Sequence, residues 1–135
     1  MAGVRPEQVI GAVREGRKVV VSGDTSPCET LAIAAHRADL LVHEATFGED
    51  EHERARLTGH STAAQAARIA ADAEVKLLAL THISSRYSGR ELRAQARAVF
   101  PATELPRDFD AVEIPLADRG APALIRFGES PDAPV

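Results

Sequence analysis

Histidine and carboxylate side chains recur at the ends of short apolar runs in this sequence. Asp24 stands in Gly23-Asp24-Thr25, His43 and Glu44 follow Leu40-Leu41-Val42, and His82 follows Leu80-Thr81. His60 directly precedes Ser61-Thr62. Imidazoles and carboxylates hold divalent metals and move protons near neutral pH. Gathered in one place, they make a natural site for a cation that activates water. Each residue alone has a plainer explanation. Aspartate favours turns for its own hydrogen bonds to backbone, and a histidine closing an apolar strand is more often a bonded structural residue than a ligand. His36, His52 and Arg86 read as ordinary surface residues, and Cys28 as a small packed hydrophobe on a helix.

The elements that must position these residues are legible as alternating strands and helices. Lys18–Ser22, Leu40–His43 and Val75–Leu80 are short, continuous apolar runs, the pattern of strands buried on both faces of a parallel sheet. Pro27 suits a first helical turn and predicts a helix from Cys28 to Ala38. Phe47 to Gly59 reads as loop and short helix. Thr62 with Gln65, and Ser88 with Glu91, have capping-box spacing. They predict helices from Ser61 or Thr62 to Ala73, and from Ser88 to Phe100, where Pro101 stops the second. Ala111–Leu116 and Ala123–Phe127 predict a closing hairpin around Asp118 and Gly120. The order β-α-β-α-β-α-β-β predicts an α/β layered domain with a partly parallel sheet. Ligands of such sheets gather beyond the carboxyl ends of the strands. Parallel neighbours would therefore bring Asp24, His43, Glu44 and His82 to one edge, with His60 reaching it from a helix N-terminus.

Composition bounds the function. A chain of 135 residues suits one domain, and with 44% hydrophobic but only 4% aromatic residues the core must be aliphatic. The net charge of −4 argues against a free-standing nucleic-acid binder, although a local basic site can sit on an acidic body. The lone cysteine excludes an internal disulfide and fits a reducing compartment. No apolar run is long enough to span a bilayer and no signal pattern opens the chain, so a cytoplasmic protein without a membrane partner is expected. Residues 1–129 are expected to form the domain, and Ser130–Val135, rich in Pro and Asp, a disordered tail.

Taken together, the blocks Ser22-Gly23-Asp24-Thr25 with Pro27-Cys28, Ala38-Asp39-Leu40-Leu41-Val42-His43-Glu44-Ala45-Thr46-Phe47, His60-Ser61-Thr62 and Leu80-Thr81-His82-Ile83-Ser84-Ser85-Arg86-Tyr87 occur in one order. That succession resembles the ribonuclease Z family of the metallo-β-lactamase superfamily, from about Val4 to the strand after Asp108-Phe109. The resemblance implies an α/β fold, the C-terminal half of an αββα sandwich with a mixed sheet and flanking helices. It implies a zinc-dependent endoribonuclease that hydrolyses the phosphodiester at the 3′ end of precursor tRNA, with two zinc ions in the complete family site. Asp24 then resembles the aspartate that bridges the zincs and His82 the last histidine ligand. His60 resembles the catalytic histidine that protonates the leaving 3′ oxygen, and Glu44 the carboxylate that orients it. Ser84, Arg86 and Tyr87 would hold the RNA backbone, while His43 and Thr25 would support the site from behind.

One departure is large. The family's His-x-His-x-Asp-His motif, which carries further ligands and the general-base aspartate, occurs nowhere in this sequence. Two ligands fall short of the three that a catalytic zinc takes from protein, so the isolated chain is expected to be inactive. A single αβ half would also expose the sheet face that packs on the other half. Pairing with an N-terminal half, or a homodimer, is therefore expected. The alternatives are a non-catalytic remnant acting as an interaction module, and another hydrolase of the superfamily, arylsulfatase-like or a different phosphodiesterase.

Overall fold

Three consecutive valines begin the sheet. In the computed structural model, which describes residues 3–129, they form strand β1, Val19–Val21. A single exposed turn, α1 (Pro6–Val9), precedes it. Helix α2 (Glu29–Ala35) follows, then β2 (Leu40–Glu44), a 3₁₀ turn at Glu49–Glu51, α3 (His52–Thr58) and α4 (Ala63–Asp72). Next come β3 (Leu77–Thr81), α5 (Gly89–Arg97), β4 (Thr103–Glu104), β5 (Ala111–Glu113) and β6 (Ala123–Ile125). The expected tail at Ser130–Val135 lies outside the described residues.

The main sheet has the order β1-β2-β3-β4 and every pair in it is parallel. The antiparallel pair β5-β6 is a separate two-stranded sheet, so the expected mixed sheet resolves into a parallel sheet and a hairpin. Strand β4 was not foreseen: only two residues long, it carries too little pattern to be read. Pro27 lies before the cap of α2, because Cys28 itself is the N-cap. Cys28 is exposed there, which corrects its reading as a packed hydrophobe. Helix α2 ends at Ala35 because Arg37 turns into left-handed backbone, φ 53°. Helix α5 stops at Arg97, before Phe100.

Alternation along β2 and β3 explains the layers. Leu41, Leu78 and Leu80 face a helical layer of α2, α4 and α5, packing with Ala63, Ala66, Ala67, Ala70, Leu92 and Ala96. Alanines on α4 let that helix lie close to the sheet, and Thr62 caps it by accepting from the Gln65 amide while Gln65 reaches back. On the other face Leu40, Leu77 and Ala79 pack with Val42, Val112 and Ile114, so β5 covers the middle of the sheet. Val19 and Val21 on the edge strand remain 50% and 66% exposed. The expectation of an open sheet face therefore holds at β1 and fails over β2 and β3.

Candidate metal and acid–base site

Strand register decides the geometry. Glu44 pairs with Thr81 in the parallel ladder, so β2 and β3 end side by side and their following residues share one edge. The chain leaving β2 then runs beside the segment that starts α4, with Phe47 bridged to Thr62 and the Phe47 amide donating to the Ser61 carbonyl. His60 is thereby carried to the same edge. The loop after β1 arrives from the third side, with Gly23 in left-handed backbone at φ 63°.

At the centre is Glu44, whose side chain is fully buried. Its Oε1 accepts from the Thr25 amide at 3.0 Å and from His60 Nδ1 at 2.6 Å. Its Oε2 accepts from the amides of Thr46 and Ser61, both at 3.1 Å, and from the Thr46 hydroxyl at 2.9 Å. Burial pushes the carboxyl upward, but the Ser61 and Thr46 amides, the His60 ring and the Thr25 amide outweigh it and hold the group below its ordinary value. Glu44 is thus an anion saturated with donors.

That saturation fixes protons nearby. An ionised carboxylate only accepts, so the Thr46 hydroxyl gives its one proton to Glu44. Thr46 Oγ1 must then accept from His82 Nδ1, which lies 2.7 Å away. His60 Nδ1 is likewise committed to Glu44, with Thr46 Oγ1 more distant at 3.2 Å. In their neutral forms both rings therefore carry hydrogen on Nδ1 and present a bare Nε2. The rings stack with centroids 5.4 Å apart and planes 15° from parallel. Phe47 meets the His60 ring edge-on at 6.1 Å. Nothing in the sequence marks Thr46 as the bridge between Glu44 and His82, since a threonine carries no signal of its own.

His82 Nε2 lies 3.6 Å from Asp24 Oδ2, and both side chains are about half exposed, 48% and 59%. Ligands on a tetrahedral zinc at about 2.0–2.1 Å stand roughly 3.3 Å apart, so this spacing fits a shared cation. His82 holds left-handed backbone, φ 55°, which costs a non-glycine residue of order 1–3 kcal/mol. That strain turns the chain at the end of β3 and was not foreseen. Glu44, His60 and His82 also lie close enough together to suggest a metal. The bonding argues for a different division, because Glu44 has no free lone-pair direction and His60 Nδ1 is occupied.

The remaining expected residues fall into two groups. Thr25 and His43 stand behind the site. Thr25 donates to Glu44 and accepts from the Ser61 hydroxyl at 2.7 Å. His43 is fully buried, bonded through Nδ1 to the Glu44 carbonyl at 2.7 Å, with Nε2 unpartnered. Burial pushes its pKa down, so it is held neutral. Arg86 and Tyr87 are turned to another task in this structure. Arg86 pairs with Glu51 at 3.0 Å and the Tyr87 hydroxyl donates to Asp50 at 2.9 Å, which fastens the 3₁₀ turn. Ser84 ties back through its amide to the Thr46 carbonyl at 3.2 Å.

Residues 2–83 match the family model of the β-lactamase superfamily domain. The chain is 52% identical over 118 residues to ribonuclease Z of Myxococcus xanthus, covering 85% of this chain and 38% of that protein. It is 50% identical over 112 residues to ribonuclease Z of Gemmatimonas aurantiaca, covering 82% of this chain and 36% of that protein. The chain thus spans a little over a third of the length of these curated relatives. The crystal structure of human tRNase Z, short form, superposes with a TM-score of 0.60 at 34% identity, covering 75% of this chain and 35% of that one. The metallo-β-lactamase fold protein YhfI from Bacillus subtilis also gives 0.60, at 31% identity over 64% of this chain and 35% of that one. With its parallel sheet, its flanking helices and its His and carboxylate edge, this chain belongs to the β-lactamase superfamily, in its metallo-β-lactamase fold.

Proposed function

We propose that the chain is part of a zinc-dependent endoribonuclease that hydrolyses the phosphodiester at the 3′ end of precursor tRNA in the cytoplasm, with residues 1–129 as one part of the domain. The carrying observation is the 2.6 Å contact between His60 Nδ1 and the donor-saturated Glu44. The relatives named ribonuclease Z support this reading over the interaction module and the arylsulfatase-like hydrolase.

Asp24 and His82 would hold metal from this chain, and further ligands would come from outside it. When bound, zinc supplies an acidified water as nucleophile and positive charge for the phosphate oxygens. Glu44 keeps its charge in the buried site and holds the His60 ring by Nδ1. His60 then holds its transferable proton on Nε2 and gives it to the leaving 3′ oxygen. Glu44 fixes the ring while remaining ionised, as a carboxylate does behind a catalytic imidazole elsewhere. Thr46 holds the His82 ring with Nε2 toward Asp24, the usual way an outer partner sets a ligand tautomer. Arg86 would reach RNA only by releasing Glu51.

The test is zinc content and cleavage of labelled precursor tRNA, for the chain alone and mixed with a segment that supplies the His-x-His-x-Asp-His motif. About two zincs per pair and a product ending at the discriminator base, lost in His60→Ala, are expected. A zinc-loaded mixture that cleaves bis-p-nitrophenyl phosphate but no tRNA would move the protein to another hydrolase of the superfamily. A mixture that binds no zinc would make it an interaction module.

A further inference from the structure

The far side of α5 carries a second concentration of chemistry. A pocket of about 390 Å³ is lined by Arg90, Arg93, Arg107 and Arg126, with Gly89, Leu105 and Glu129. Four arginines around one carboxylate are unexpected on a chain of net charge −4. Arg107 and Arg126 share Asp110 beneath them, at 3.7 and 2.7 Å. Arg90 and Arg93, one turn apart on α5, have no carboxylate within ion-pair distance among the described residues.

Beside this pocket in the chain stand two phenylalanines that the core does not take up. Phe109 is 82% exposed and Phe127 is 71% exposed. Their ring centroids are 5.6 Å apart, with planes tilted by 48°. Phe109 holds left-handed backbone, φ 69°. A buried carboxylate over-determines that conformation. Asp110, whose side chain is 1% exposed, accepts from the Arg107 amide at 2.8 Å, the Phe127 amide at 2.9 Å and Arg126 at 2.7 Å. One residue therefore rivets both aromatic segments and pairs with two arginines of the pocket.

We infer that this face binds a single-stranded RNA segment, its phosphates on Arg90, Arg93 and Arg107 and an unpaired base on the Phe109–Phe127 pair. Arginine suits phosphate oxygens bidentately, and exposed aromatic faces beside a basic groove are the parts from which sequence-tolerant single-strand sites are built. The assignment rests on the RNA reading above for its ligand class, but needs neither the metal nor His60.

The experiment is fluorescence anisotropy of a labelled oligoadenylate of about ten nucleotides, titrated with the full chain at several salt concentrations. Phe109→Ala with Phe127→Ala should weaken binding at least about fivefold, with the salt slope unchanged. Arg90→Gln with Arg93→Gln should weaken binding and flatten the slope of log K against log salt by roughly 1.4, about 0.7 per phosphate lost. All four positions are solvent-facing or half-buried, and circular dichroism checks that the variants fold. His60→Ala should bind like the wild type, so loss of cleavage and loss of this site are separable. Wild-type affinity in both double variants would overturn the assignment, as would a wild-type chain that binds no oligonucleotide. If that non-binding chain also sediments as a dimer that Phe→Ala substitution dissociates, the aromatic pair is a protein contact.

Discussion

Strand β2 has a buried carboxylate at each end, Asp39 just before it and Glu44 closing it, and the two do different work. Asp39 is 6% exposed and ties strand starts together, with Oδ2 accepting from the Lys18 amide at 2.7 Å and Oδ1 from Lys76 Nζ at 2.7 Å. Lys76 and the Lys18 amide hold its pKa below the ordinary value. Its network ends in a lysine head that is 41% exposed and does nothing further. Glu44 ties three chain segments together and ends in an imidazole whose Nε2 lies outside that network. The same physics, an anion desolvated among donors, makes a lysine-tipped rivet at one end and a carboxylate–imidazole pair at the other. Among the described residues the amino ends of the strands offer no helix N-terminus carrying a histidine, whereas the carboxyl edge has His60 just before α4.

Removing Glu44 gives the largest expected effect. Glu44→Ala leaves three amides and the His60 ring without their acceptor and should cost at least about 3 kcal/mol in urea unfolding. Asp39→Ala should cost only about 1 kcal/mol, because its lysine partner can turn to water. Equal losses would break the contrast between the two ends.

Thr46→Val sharpens it at the metal side. The His82 ring loses its Nδ1 acceptor, so ¹H–¹⁵N spectra should show its tautomer shift toward Nε2–H. Zinc affinity of the completed site should fall about 10–100-fold. An unchanged His82 spectrum would remove Thr46 from the network.

Acidity separates the groups next. His43 has a depressed pKa in the fold, so the unfolded chain binds the extra proton first. Stability should be full above about pH 6.5 and fall by up to about 1.4 kcal/mol per unit below it. Glu44 and Asp39, also depressed, contribute stability above the ordinary carboxylate range that is lost as pH falls through their lower folded values. Denaturation curves of His43→Leu should lack the first slope and keep the second. An effect as small as that of Asp39→Ala is expected from Thr62→Ala, about 1 kcal/mol through loss of the α4 cap, measured by thermal unfolding.

Much of this was legible because inner strands covered on both faces must be apolar throughout, and the edge strand β1 is apolar too although Val19 and Val21 stay exposed. Val19–Val21, Leu40–Leu41 and Leu77–Leu80 declare themselves, and their polar ends mark the edge where chemistry gathers. The Thr62 cap was readable because its partner lies three residues away. At Ser88 only half of the expected box forms, with Ser88 accepting from the Glu91 amide. Strand β4 and the turn α1 were hidden by shortness, and the left-handed turn at His82 by the absence of any residue that prefers it.

The sequence by itself determined the α/β order and the aliphatic core, and it marked Asp24, Glu44, His60 and His82 as candidates whose side chains the fold brings to one edge. Tertiary structure alone decided who bonds to whom. The β2–β3 register put Thr46 between Glu44 and His82, loop paths gave Arg86 and Tyr87 to Glu51 and Asp50, and Asp110 set Phe109 beside Phe127. The reason is physical: periodicity reports which face a side chain takes, whereas a hydrogen bond between residues tens of positions apart depends on register and loop path, which local pattern does not encode.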